Sequence, residues 1–167
     1  MTAVAALGFQ SCTDWDDHYD VTTDGSGVSD QTLWEQISNN PKLSNFAALM
    51  KKVGYDKALS TNQSYTVWAP SNDAFDFEKY NAMSDSLLKA EFLNNHIARG
   101  YHRATGEINE RVHLLNKKVM AFQGNGRYTL GNIAIDSTNM LGKNGIIHLM
   151  SSYMDFRPNF YEEFLRN

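Results

Sequence analysis

The chain has 167 residues, with 15 Lys and Arg against 19 Asp and Glu for a formal charge of −4, and it is 42% hydrophobic and 20% charged. This composition suits one compact domain with a sizeable core, and a pI near 5.7 leaves no basic excess to neutralise a run of phosphates, which argues against a nucleic-acid partner. One cysteine excludes an internal disulfide or a cysteine-rich metal site, and the longest apolar stretch, Ala3 to Phe9, is far short of a membrane span.

The charge is unevenly spread. Residues 12 to 30 carry Asp14, Asp16, Asp17, Asp20, Asp24 and Asp30 with no Lys or Arg, whereas the chain from Gln31 onward has 15 basic against 13 acidic residues, or +2. Together with Gly25-Ser26-Gly27, this shift marks a solvated leader ahead of a packed domain. The leader opens on an apolar run that ends in Ser11-Cys12. That arrangement resembles a bacterial lipoprotein signal, and Cys12-Thr13-Asp14-Trp15-Asp16-Asp17 resembles the acidic stretch behind the lipid-bearing cysteine of surface-exposed lipoproteins of the Bacteroidota. The resemblance implies an acylated Cys12, an export signal at Asp14, Asp16 and Asp17, and a lipid-anchored place in the outer membrane, facing the cell exterior. No positive segment precedes Ala3. The residues alone also fit an ordinary buried thiol behind a loose N-terminus.

In the domain, helices come first and strands later. Leu33 and Ile37, then Leu43, Phe46, Leu49, Met50 and Val53, recur at spacings of three and four, predicting two short helices broken near Pro41, with Ser29 or Asp30 as the start signal and Gly54 as the stop. Tyr65 to Ala69 alternates at period two and ends at Pro70, a strand. Ser71-Asn72-Asp73 offers caps for a helix containing Phe75 and Phe77, and Ser84 opens another with Leu87, Leu88, Phe92, Leu93 and Ile97 inward, closed by Gly100. Strands follow at 112–115, 118–122, 128–130 and 133–135, with a turn at Gly124-Asn125-Gly126. Asn144-Gly145 turns into Ile146-Ile147-His148-Leu149-Met150, an apolar run that reads as a central strand buried on both faces. Phe160, Tyr161, Phe164 and Leu165, with Glu162 and Glu163, make a short helical pattern in the tail.

Two of these segments carry a family resemblance. Tyr65-Thr66-Val67-Trp68-Ala69-Pro70-Ser71-Asn72-Asp73-Ala74-Phe75 resembles the first signature of fasciclin (FAS1) domains, and Asn144 to Met150, ending at Arg157-Pro158, resembles the second. Between them, Leu93-Asn94-Asn95-His96-Ile97 with Gly100 is similar to the family's central helix end, and Leu114-Leu115-Asn116-Lys117 to its next strand and turn. Trp68 stands where the family usually has Phe. The resemblance implies an α+β fold, a wedge-like β-sandwich edged by helices. The chain then divides into a residual lipoprotein signal segment at 1–11, an acidic tether at 12–29, the FAS1 domain at 30–158 and a helical tail at 159–167.

The sequence carries few signs of catalytic chemistry. There is no Gly-x-Ser-x-Gly elbow, His-Glu-x-x-His or phosphate loop. Asp20 to Asp24 lacks the alternating ligands and terminal Glu of a calcium loop. His148, inside an apolar strand, reads as a core imidazole bonded to backbone. His96, at a helix end, reads as structural, where a positive charge suits the helix dipole. Asn72 and Asp73 read as caps rather than an acid/base pair. Tyr101-His102-Arg103 is a candidate partner contact, with a solvated turn as the plainer alternative. No catalytic, cofactor or metal residues are expected. The resemblance implies an interaction or adhesion module, not an enzyme. Its partner is a protein, by analogy a SusC/SusD-like uptake complex, or alternatively a glycan or peptide held by aromatics such as Trp15, Tyr19, Tyr80, Tyr101 or Tyr153.

Overall fold

The computed structural model describes residues 27–155 and Arg157. Cys12, the leader aspartates, Trp15, Tyr19 and the tail pattern lie outside the described residues. The first helix, α1 (Leu33–Asn39), starts at Thr32 rather than at Ser29 or Asp30. Only Thr32 has a glutamate at the third position after it: its hydroxyl accepts from the Glu35 N–H, and the Glu35 carboxylate accepts the Thr32 N–H at 2.7 Å. A 3-10 turn at Pro41–Leu43 separates α1 from α2 (Ser44–Lys52), as the break at Pro41 predicts. Gly54, at φ +83°, turns the chain into α3 (Tyr55–Ala58).

Strand β1 (Tyr65–Pro70) is buried at all six positions. After it, Asn72–Ala74 is only a 3-10 turn, Phe75 is extended, and α4 (Phe77–Asn81) is capped by Asp76, so Phe77 is helical and Phe75 is not. The helix opened by Ser84, α5 (Asp85–Leu87), widens into a π turn at Leu88–Phe92 and tightens to 3-10 at Leu93–Asn95. It does not run on to Gly100: Ile97–Arg99 forms strand β2, antiparallel to β1 through Val67↔Ile97 and Tyr65↔Arg99. Leu87 is 49% exposed instead of inward, whereas Leu88 is fully buried.

The second half is a meander of β3 (Glu107–His113), β4 (Val119–Asn125), β5 (Arg127–Leu130) and β6 (Ile133–Ala134), followed by β7 (Ser137–Gly142) and β8 (Gly145–Met150). One sheet has the order β2-β1-β8-β7, with β1 and β8 parallel, and the other has the order β3-β4-β5-β6. An isolated antiparallel bridge, Ala98↔Leu114, joins the two. Strand β8 is therefore the interior strand its apolar run predicts. Alternation along β1 and β8 splits the core. Val67, Ala69 and Ile147 pack with Leu33, Ile37, Phe46, Leu88 and Phe92 of the helices, while Trp68 and Met150 pack with Val112, Phe122 and Leu130 of the other sheet. The first sheet is thus covered on both faces, by helices on one side and by the meander on the other.

A locked loop between β2 and β3

The segment from Gly100 to Gly106 crosses from one sheet to the other, and its alternate residues are fastened to the framework. Gly100, at φ +89°, donates its N–H to the Ser64 carbonyl at 2.9 Å. The buried Thr66 hydroxyl of β1 donates to the Gly100 carbonyl at 2.8 Å and accepts the His102 N–H at 3.0 Å. His148 Nε2 donates to the His102 carbonyl at 2.9 Å. Asn139 holds Ala104 at both ends, accepting its N–H at 2.9 Å and donating to its carbonyl at 2.7 Å. The Tyr128 hydroxyl closes the series on the Gly106 carbonyl at 2.9 Å.

The lock is built from buried polar groups. His148 is fully buried on β8, with its Nδ1 accepting the Asn139 N–H at 3.2 Å, and burial pushes its imidazole down to about 4. It is a neutral core imidazole bonded to backbone, as its place in the apolar strand suggests. Asn139 itself sits at φ +58° at an irregularity in the β7–β8 register, a conformation asparagine tolerates better than most side chains. His96 is likewise fully buried, and burial holds it down to about 4. Its helix-end position therefore carries no positive charge, because desolvation outweighs the helix dipole there.

With the even-numbered residues held inward, Tyr101, Arg103 and Thr105 face solvent, and Tyr101 is 53% exposed. Of the Tyr101-His102-Arg103 triplet, only His102 turns back on the fold. Its side chain is 15% exposed, with Nδ1 2.7 Å from a Glu110 carboxylate oxygen and Nε2 3.0 Å from the Arg99 carbonyl oxygen. The aromatics suggested as sugar platforms divide in the same way. Tyr80 is buried, stacked on Phe92 with ring centroids 3.9 Å apart, and Tyr153 packs edge-on against Tyr80. Tyr101 alone of the described candidates is exposed. Asn72 does act as a cap, but for a distant helix: its Oδ1 accepts the Asn45 N–H at 3.0 Å and its amide donates to the Pro41 carbonyl at 2.8 Å. Thr66 and Asn139, which do most of the fastening, carry no sequence pattern that marks them. No group of three or more metal-binding side chains occurs among the described residues.

Two sheets with one helical cover carry a surface loop whose alternate backbone groups are bonded to the framework. The fasciclin-domain family model matches residues 41–155, and this chain belongs to that family. It is 26% identical over 143 residues to the Synechocystis protein sll1483, covering 77% of this chain and 79% of that one. Its fold is also similar to the structure of a FAS1 domain pair from the insect cell adhesion molecule fasciclin I, with a TM-score of 0.56, 16% identity, and coverage of 74% of this chain and 50% of that one. This chain therefore spans half the length of that domain pair. The fold is the FAS1 fold, and fasciclin domains are adhesion-related interaction modules.

Proposed function

We propose that this chain is a non-catalytic, surface-anchored interaction module that presents Tyr101 and Arg103 to a protein partner. The observation that carries this reading is the locked loop: an exposed tyrosine and an exposed arginine alternate with residues pinned by Thr66, His148 and Asn139. Tyr and Arg are the side chains that most often anchor protein interfaces, and a loop already held in place loses little entropy on binding. An acyl chain on Cys12 anchors the module in the outer membrane, with residues 12–29 as an acidic tether that directs export through Asp14, Asp16 and Asp17. By analogy with small lipoproteins of the Bacteroidota, the partner is a SusC/SusD-like transporter.

Two measurements test this. Cys12→Ala should move the full chain out of the detergent-extracted membrane fraction; unchanged partitioning sinks the anchor. An affinity capture from detergent-solubilised outer membranes should recover the transporter with the wild type and lose it with Tyr101→Ser/Arg103→Ser. Equal recovery with both chains removes the loop from the interface. Glycan capture stands as a second reading, favoured by the cationic groove described next.

A further inference from the structure

Beside the locked loop, a cavity of about 500 Å3 opens where the two sheets meet, lined by Arg99, His102, Arg111, His113, Leu114, Leu115 and Lys117. We propose that this cavity binds the charged groups of an acidic oligosaccharide, one bearing uronate carboxylates or sulfate esters. The proposal rests on the reading of this chain as a binding module but not on the partner of Tyr101 and Arg103.

The register of the seam assembles the cations. Ala98 pairs antiparallel with Leu114, which sets Arg99 of β2 opposite His113 of β3 and puts Arg111 two residues along the same face. Ala98 and Leu114 are buried beneath, and Leu114 with Leu115 supplies the apolar wall of the cavity. Lys117 enters from the β3–β4 turn. Arg99, Arg111 and Lys117 form no ion pair among the described residues, whereas His102 is held by Glu110. Three cations over an apolar wall, against the one Glu110 carboxylate that His102 holds at the cavity, leave a local positive excess on a chain whose overall charge is negative.

Lys117 supplies an independent sign that the site is built. Its φ is +68°, a conformation in which a non-glycine side chain is uncommon and strained. The turn keeps it there through its N–H to the Leu114 carbonyl at 2.9 Å and the Leu114 N–H to the Lys118 carbonyl at 2.9 Å. Glycine or asparagine suits that backbone better. A lysine at this position extends a charge toward the cavity at a cost in backbone strain, which is how functional outliers behave.

The chemistry selects among anions. Guanidinium groups grip carboxylate and sulfate oxygens through paired N–H donors. β2 and β3 are edge strands that meet only at the Ala98↔Leu114 bridge, with the Leu115 N–H on the Ile97 carbonyl at 2.8 Å, so an acidic peptide added along an edge is the competing ligand that hexaglutamate tests. A nucleic acid needs a longer basic track, and Glu107 and Glu110 interrupt β3. A short glycan read by side chains alone, through its charged substituents, fits the volume and the donors.

Titration calorimetry on the full chain tests the proposal with five probes: a heparin-derived hexasaccharide, hexagalacturonate, neutral maltohexaose, hexaglutamate and inorganic sulfate. At least one acidic hexasaccharide should bind saturably, and more weakly as salt is raised, while maltohexaose should not bind. Arg99→Ala and Arg111→Ala should each weaken that binding about tenfold, the loss expected for one desolvated charged contact. Lys117→Gly should weaken it about fivefold while keeping or raising Tm, since glycine relaxes the turn, and this separates lost binding from lost folding. Equal affinity for maltohexaose, no acidic hexasaccharide binding, or affinities unmoved by all three variants overturns the proposal. Hexaglutamate or sulfate binding as tightly as the acidic glycans overturns the assignment to a glycan. Transporter capture by a chain that binds no glycan leaves the interaction-module reading standing, and glycan binding without capture does the reverse.

Discussion

Met154 donates its backbone N–H to Nε2 of His96 at 2.9 Å, and Nδ1 of the same ring donates to the Phe92 carbonyl at 2.8 Å. One fully buried imidazole thereby ties the chain beyond β8 to the end of the π turn. The bonding fixes the neutral ring with its proton on Nδ1, since the acceptor nitrogen must be bare to receive the Met154 N–H.

That neutrality makes the fold sensitive to acid. His96 and His148 are both pushed down to about 4 by burial, whereas in the unfolded chain they titrate near the ordinary value of 6.5. Below about pH 6.5 the unfolded state binds the extra protons, so stability is full above that pH and falls as pH drops toward 4, with no further loss from these groups below it. Each histidine contributes up to about 3 kcal/mol across this window. Denaturant unfolding at pH 7.5, 6, 5 and 4 should show the decline, and His148→Leu should flatten it by its own share. A curve flat from 7.5 to 4 contradicts the buried neutral rings.

A second hub is Asn144. Its Oδ1 accepts the Leu33 N–H at 2.8 Å, in the first turn of α1, and its amide donates to the Leu59 carbonyl at 2.8 Å and the Thr61 carbonyl at 2.7 Å. Asn144→Ala strands one donor and two acceptors at a buried site, and should cost roughly 3–4 kcal/mol in chemical denaturation. Asn144→Asp should cost at least as much, because a carboxylate cannot donate to the two carbonyls. A loss under about 1 kcal/mol for the alanine variant shows that water replaces the side chain without penalty.

The loop lock separates side-chain from backbone effects at Asn139. Asn139→Gly keeps the positive φ at no steric cost while removing both bonds to Ala104. Stability should fall by about 1–2 kcal/mol, and the amides of residues 101–105 should exchange faster, with those of β1 and β8 unchanged. Uniform exchange across the loop and the sheet implies that Asn139 supports the whole fold rather than the loop.

Legibility in the sequence follows the range of the interaction. Strands β1 and β8, the Pro41 break and the turn before β5 are written in local pattern, because burial on both faces demands apolar runs and a tight reversal demands glycine. Ile97 misleads because its spacing from Leu93 continues the helical series, although the chain has already left the helix at Asn95 to pair with β1. Strand β7 is polar over its first half, Ser137 to Asn139, and shows no period. The triplet Tyr101-His102-Arg103 stands out as a local cluster, but what rigidifies it comes from Thr66, Asn139 and His148, brought together only by the sheet. The groove cations, spread from Arg99 to Lys117, form no charge run for the same reason.

Two glycines distinguish steric need from conformational preference. A Cβ on Gly145 would lie 2.0 Å from the Tyr65 carbonyl oxygen and 2.7 Å from Leu33 Cδ1, at the first rung of the parallel β1–β8 pairing. The clashing carbonyl belongs to backbone in the most buried strand, so it cannot yield without parting Tyr65 from Gly145. Gly54 has open space around its missing Cβ and needs only its positive φ. Gly145→Ala should therefore cost more than about 4 kcal/mol, enough to unfold most of the chain at 37 °C, while Gly54→Ala should cost about 1 kcal/mol and leave the fold intact. Circular dichroism melts of the two variants decide the matter: similar Tm values for both mean that the β1–β8 start is more compliant than its contact distances require.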